Sequence, residues 1–170
     1  MPRTSMKAVA IAVVSWAIVL WTCYVFLLSL PYKFTGHLDT QHIFGTIGTW
    51  IGAVIGTGLG DWFAQFGAYA VGGFELLTSI VLLLPALLWI IARLGPGSTR
   101  GLRARYHRVG GLMASAVMGG AVFFHLFTPL GIEVLHQGES DGGSLFYSAV
   151  SILVLGLVLF AINARAQRRA

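Results

Sequence analysis

Charge is what this chain has least of. Only 10% of its residues are Asp, Glu, Lys or Arg, against about 25% in an ordinary soluble domain. Six acids in 170 residues are too few to solvate the surface of a soluble domain of this size. A single cysteine, Cys23, excludes an intrachain disulfide and any cysteine-built zinc or iron–sulfur cage. It lies inside an apolar run, where it reads as a small packing residue. Nucleotide-binding loops, zinc-protease motifs and nucleophile elbows are missing as well.

What the chain does have is apolar length. Hydrophobic residues make up 56% of it, and the mean hydropathy is +0.81. Crossing a bilayer by helix takes about 20 apolar residues, because the hydrocarbon core is about 30 Å thick and each residue rises 1.5 Å. Four stretches qualify: 8–30, 66–92, 109–130 and 145–164. The first reads as a span, not a signal peptide. It is too long, no Ala-x-Ala site follows it, and Leu20-Trp-Thr-Cys23 has bulky residues where a lipobox needs small ones. The fold expected is an all-α integral membrane four-helix bundle in one domain.

The net charge of +5 would suggest nucleic acid in a soluble protein. Here the basic residues flank the spans, which excludes that reading and points to the lipid bilayer as the partner. Arg3 and Lys7 precede the first span, Arg93, Arg100, Arg103, Arg105 and Arg108 separate the second from the third, and Arg165, Arg168 and Arg169 follow the fourth. The positive-inside rule then places both termini in the cytoplasm of a multi-pass protein of the plasma (inner) membrane. The Arg-bearing connection 95–101 reads as a short hinge against anionic headgroups. Residues 43–60 are apolar but glycine-spaced. Each glycine weakens a helix by roughly 1 kcal/mol, and a fifth span would turn the middle arginines outward. An interfacial or re-entrant segment between helices 1 and 2 is expected, whether as part of a site or as an inert lid.

Glu75 is the one acid within a span. Ala68, Gly72, Thr78, Ser79 and Leu82 share its helical face, with lipid expected over Val81, Leu84 and Leu88. An acid at that depth is buried in protein, paired or protonated. It either takes part in chemistry or staples two helices by a hydrogen bond. His125 reads as the only histidine clearly within a span. It shares a face with Gly111, Ala114, Met118 and Ala121, and Gly111, Ser115 and Gly119 form a small-residue row suited to close helix contact. Glu75 and His125 are therefore candidates for a proton relay. Ser15, Thr22 and Ser29 recur at heptad spacing, with Lys33 one turn beyond, so Lys33 either enters the same cavity or snorkels to the interface. Lys33, Asp61 and His42 are candidate ligand-binding residues. No spacing signature supports a metal or haem site.

Tyr32-Lys33-Phe34, then Gly72-Gly73-Phe74-Glu75 with Leu82-Leu83-Leu84-Pro85, and finally Met118 with His125, give the chain a pattern that resembles the DoxX-like family of small four-helix membrane proteins. That family includes DoxD-type subunits linked to quinone reduction. The resemblance implies a membrane subunit of a quinone-linked redox or envelope-stress assembly, with quinone as the possible ligand and a redox partner protein, and it supports grouping Lys33, Glu75 and His125. The alternatives are a non-enzymatic scaffold for lipid or a partner, and a small transporter. Four spans without an inverted repeat disfavour the transporter for a monomer, while a homo-oligomer remains open.

Overall fold

The computed structural model describes residues 6–93, 101–136 and 138–167. They form five helices: α1 (Met6–Phe34), α2 (Leu38–Val54), α3 (Thr57–Arg93), α4 (Leu102–Phe127) and α5 (Ser144–Gln167). A two-residue antiparallel ladder, Leu135–His136 with Glu139–Ser140, sits in the connection before α5. α1, α3, α4 and α5 are each long and apolar enough to cross a membrane, which fits an integral membrane protein with four spans. Arg3, Arg168, Arg169 and the expected hinge up to Arg100 lie outside the described residues.

Cross-helix contacts set the helix directions. Ser29 of α1 meets Glu75 of α3, and Cys23 meets the Ser79 carbonyl. Ser15 of α1 meets Asn163 of α5, and Ser115 of α4 meets the Leu153 carbonyl. Sequence numbers rise on one helix as they fall on the next, so neighbours run antiparallel. Two apolar clusters fill the centre of the bundle. One joins Ile18, Val19, Cys23, Leu82 and Leu159, and the other joins Phe26, Ala114, Met118, Ala149 and Ile152. The buried face of α3 is Gly67, Ala68, Gly72, Glu75, Thr78, Ser79, Leu82 and Pro85, which is the small polar face read from the helical spacing. The exposed stripe is turned slightly from that expectation. It carries Leu77, Ile80 and Leu87, while Val81, Leu84 and Leu88 are half-buried.

The glycine-spaced segment is helical. It comprises most of α2 and the start of α3, broken at Gly56, whose φ of 144° few other residues tolerate. At about 55 Å, the 37-residue α3 outruns a hydrocarbon core of about 30 Å. The span read from Phe66 onward is therefore the apolar part of a longer helix that begins at Thr57. Its first turns pack against α2 as a helical hairpin. A Cβ on Gly60 would collide with the Gly48 carbonyl and with the Gly52 backbone, and one on Gly48 would fall 2.7 Å from Ala64 Cβ. The glycines that weaken these helices in isolation allow the two backbones to touch. Ile47 and Ile51 of α2 close against Leu130 and Val134 of the α4–α5 connection. The α2 hairpin thus covers the end of the bundle that carries Lys33, and Met6 of α1 and Gln167 of α5 lie at the other end.

Candidate functional site

Lys33 and Glu75 come together. Nζ of Lys33 is 2.8 Å from Oε2 of Glu75. Ser29, one turn before Lys33 on α1, accepts from the same ammonium at 2.8 Å, and its one hydroxyl proton is shared between the Phe26 carbonyl at 2.7 Å and the same Oε2 at 2.9 Å. The side chains are 15% and 3% exposed respectively, so the acid is sealed in and the lysine is nearly so. Helix pitch explains the triangle. Residues 29 and 33 are four apart and share a face, and the heptad row from Ser15 turns that face into the bundle. Opposite, Gly72 makes room: a Cβ there would sit 3.3 Å from Lys33 Cδ and from Phe34 Cζ. Both side-chain hydrogen bonds of Glu75 go to Oε2, while its backbone carbonyl accepts from Ser79. An ammonium has three N–H bonds, two of which are engaged here. The triangle therefore keeps one acceptor, Oε1, and one donor for a further group. On its flank Phe34 and Tyr69, both exposed, stack at 6.2 Å between centroids.

His125 is engaged elsewhere. Its Nδ1 is 2.6 Å from the Gly131 carbonyl. A carbonyl can only accept, so Nδ1 carries the proton. The ring also stands edge-on to Phe146 of α5 at 5.6 Å. His125 is buried and ties the end of α4 to the connection that follows. Among the described residues no hydrogen bond joins it to Glu75. His42 on α2 and Asp61 on α3 are exposed, and neither bonds to the Lys33–Glu75 triangle. No three His, Cys, Asp or Glu side chains among the described residues converge as metal ligands do.

A second polar cluster, without a motif in the sequence, joins α1, α4 and α5. α4 begins at Leu102, so His107 is also a helix residue, and it is fully buried. His125 is therefore not the only histidine in this helix. The arginine-rich run 103–108 reads as a loop on composition, and only the buried side of α4 reveals that His107 faces inward. Near it, Arg103 donates to Asn163 Oδ1 at 3.2 Å, and Asn163 Nδ2 donates to Ser15 at 3.1 Å and to the Leu159 carbonyl at 2.9 Å. Ser15 and Asn163 are fully buried too. Ser15, the first member of the heptad row, thus reaches one polar cluster and Ser29 reaches the other.

The acidic connection before α5 is built around Asp141. Oδ1 accepts from the amides of Val134 at 2.7 Å and Gly143 at 2.9 Å. Oδ2 accepts from Leu145 N at 2.9 Å and Ser144 Oγ at 3.2 Å. Partial burial works against ionisation, but the amides of Leu145, Val134 and Gly143 together with the Ser144 hydroxyl outweigh it and hold this carboxyl below its ordinary range. Asp141 is an anchor for the start of α5, with its bonding capacity taken up by the loop. No protein-family model, curated protein or solved structure matches the chain.

Proposed function

We propose that the chain is a membrane-embedded subunit that holds the polar headgroup of an amphipathic ligand against Lys33, Glu75 and Ser29. The observation that carries this reading is the incompletely satisfied ion pair, with Glu75 3% and Lys33 15% exposed. A buried ion pair repays its desolvation poorly by itself. This one leaves an N–H of Lys33 and Oε1 of Glu75 without a bond inside the triangle. A headgroup bearing a carbonyl or hydroxyl oxygen matches that pair, and the exposed Phe34 and Tyr69 offer ring faces on the way in. The quinone class has this chemistry, in keeping with the resemblance to the DoxX-like family. In this reading Lys33 orients the oxygen, and Glu75 and Ser29 hold or pass its proton. Electrons come from a partner protein or a cofactor bound elsewhere in a redox or envelope-stress assembly. The membrane is the plasma membrane, with both termini cytoplasmic and the Lys33 end outward. His125 stands in this scheme as a support for the α4 end. Binding of a short-chain quinone to the protein in nanodiscs tests it: Glu75→Gln and Lys33→Met should weaken binding, and His125→Asn should not.

A scaffold is the second reading, and the Ser29–Glu75 and Lys33–Glu75 bonds between α1 and α3 favour it. On that account the triangle staples two helices and takes no ligand. Substitutions there would lower stability without changing quinone binding, and changes at Gly111 would disrupt assembly.

A further inference from the structure

We propose a second ligand site at the end of the bundle where α1 starts at Met6 and α5 ends at Gln167, taking the carboxyl headgroup of a single-chain amphiphile such as a long-chain fatty acid. It is independent of the Lys33–Glu75 site. The central observation is His107. It is fully buried, and neither ring nitrogen has a hydrogen-bond partner. The ring lies beside the Leu82 backbone without meeting hydrogen-bond geometry. Buried polar atoms are almost always partnered, because leaving them bare carries the full desolvation penalty. A neutral imidazole presents one donor and one acceptor. Arg103 lies one turn away on the same face of α4. Its guanidinium has one bond, to Asn163, and a fork of five N–H donors to draw on. A carboxyl group answers both: it accepts from the guanidinium and shares one proton with the imidazole, whichever partner carries it. Its planar shape also suits the guanidinium fork.

The chain of such a molecule has a place to lie. Trp16 stands edge-on to His107, 4.7 Å between centroids, and also lines an open apolar hollow of about 550 Å³ on the surface of α1. Ala8, Ala12 and Ala17 give the groove its depth, and Val9, Val13 and Leu20 its walls. It runs about 18 Å along the helix, is almost wholly apolar and faces away from the other helices, where the membrane would be. Trp16 thus touches both the apolar hollow on α1 and the buried His107 ring. No other titratable side chain is shown against this cluster: α1 contributes Ser15 and Trp16, α3 Leu82 and α5 Asn163.

The test uses the full chain in phosphatidylcholine nanodiscs, titrated with brominated palmitic acid and, separately, with its brominated methyl ester. Bromine quenches nearby tryptophan. The acid should give a saturable quenching component that Trp16→Phe removes. Losing a charge-assisted hydrogen bond weakens binding by about tenfold or more, so His107→Leu and Arg103→Gln should each raise the Kd by that factor. His107→Gln, which keeps a donor and an acceptor, should retain more of the affinity. Thermal unfolding confirms that each variant is folded, and His107→Leu should be at least as stable as the parent, since it removes the bare polar atoms. The inference is overturned if acid and ester quench alike, if quenching is not saturable, or if His107→Leu binds the acid with unchanged Kd.

Discussion

Removing the lysine of the Lys33–Glu75 pair tests whether the burial of these charges is energetically real. Lys33→Met leaves the Glu75 carboxylate, 3% exposed, with the Ser29 hydroxyl as its one remaining side-chain donor. Breaking a buried pair from one side costs about 3–5 kcal/mol, because the surviving charge has neither water nor a partner. Glu75→Gln should cost less, about 2–3 kcal/mol on the same scale, since the amide oxygen still accepts from Lys33 and Ser29. The lysine itself is 15% exposed and can shift toward the headgroups. The double variant Lys33→Met/Glu75→Gln buries no charge, so the two losses should not add. A coupling energy of about 1–3 kcal/mol is expected for residues in direct contact. For a chain of this length the Lys33→Met loss corresponds to a Tm drop on the order of 10 °C. The assay is a double-mutant cycle from thermal or SDS-induced unfolding in one fixed detergent. Additive single losses, with a coupling below about 0.5 kcal/mol, would refute the claim that these residues act as a buried pair.

His125→Asn should cost about 1 kcal/mol through its lost bond to the Gly131 carbonyl, seen in unfolding and in faster amide exchange at the α4 end, and leave ligand binding unchanged. Gly111→Leu should separate α4 from α5, because a Cβ at Gly111 already falls 2.6 Å from the Gly156 carbonyl. A loss of at least 1–3 kcal/mol is expected from overpacking, and crosslinking between cysteines placed on the two helices would report it. Asp141→Ala should loosen the start of α5 by about 1–2 kcal/mol, the usual scale for losing a helix cap. The pH dependence has a definite sign. Asp141 is held below its ordinary range, so its contribution is complete above the unfolded-state pKa and is lost only as pH falls through the lower folded value, below about pH 4. Acid unfolding of the parent should flatten in Asp141→Ala across that interval.

The four spans were legible because the bilayer imposes a length and an apolarity that composition shows directly. The inward face of α3 was legible too, since Gly72, Glu75, Ser79 and Leu82 recur at helical spacing. Lys33 followed from the heptad row begun at Ser15, although snorkelling was an equal alternative until the Gly72 notch and the 2.8 Å contact resolved it. His125 shows the limit. Its inward face could be read from the pattern, but its partner is a backbone carbonyl six residues on, and carbonyls leave no mark in a sequence. His107 was hidden for a different reason. Its neighbours Arg103, Arg105 and Arg108 make the segment look like a solvated loop, and helical phase alone sends the histidine inward while the other side of the helix stays wet. The glycine-spaced stretch reads as an interfacial or re-entrant segment and not a span, in part because propensity counts each glycine as a loss. The α2–α3 contact converts the same glycines into close packing, a tertiary gain that local propensity does not contain.

The most direct test of the headgroup site is equilibrium titration of the protein in nanodiscs with a short-chain quinone, parent against Lys33→Met. If Lys33 and Glu75 receive the headgroup oxygen, the parent binds saturably and Lys33→Met weakens that binding by about tenfold or more, the loss of one charge-assisted hydrogen bond. Equal binding by the parent and a folded Lys33→Met variant, or no saturable binding by either, would contradict the site and leave the triangle as a helix staple.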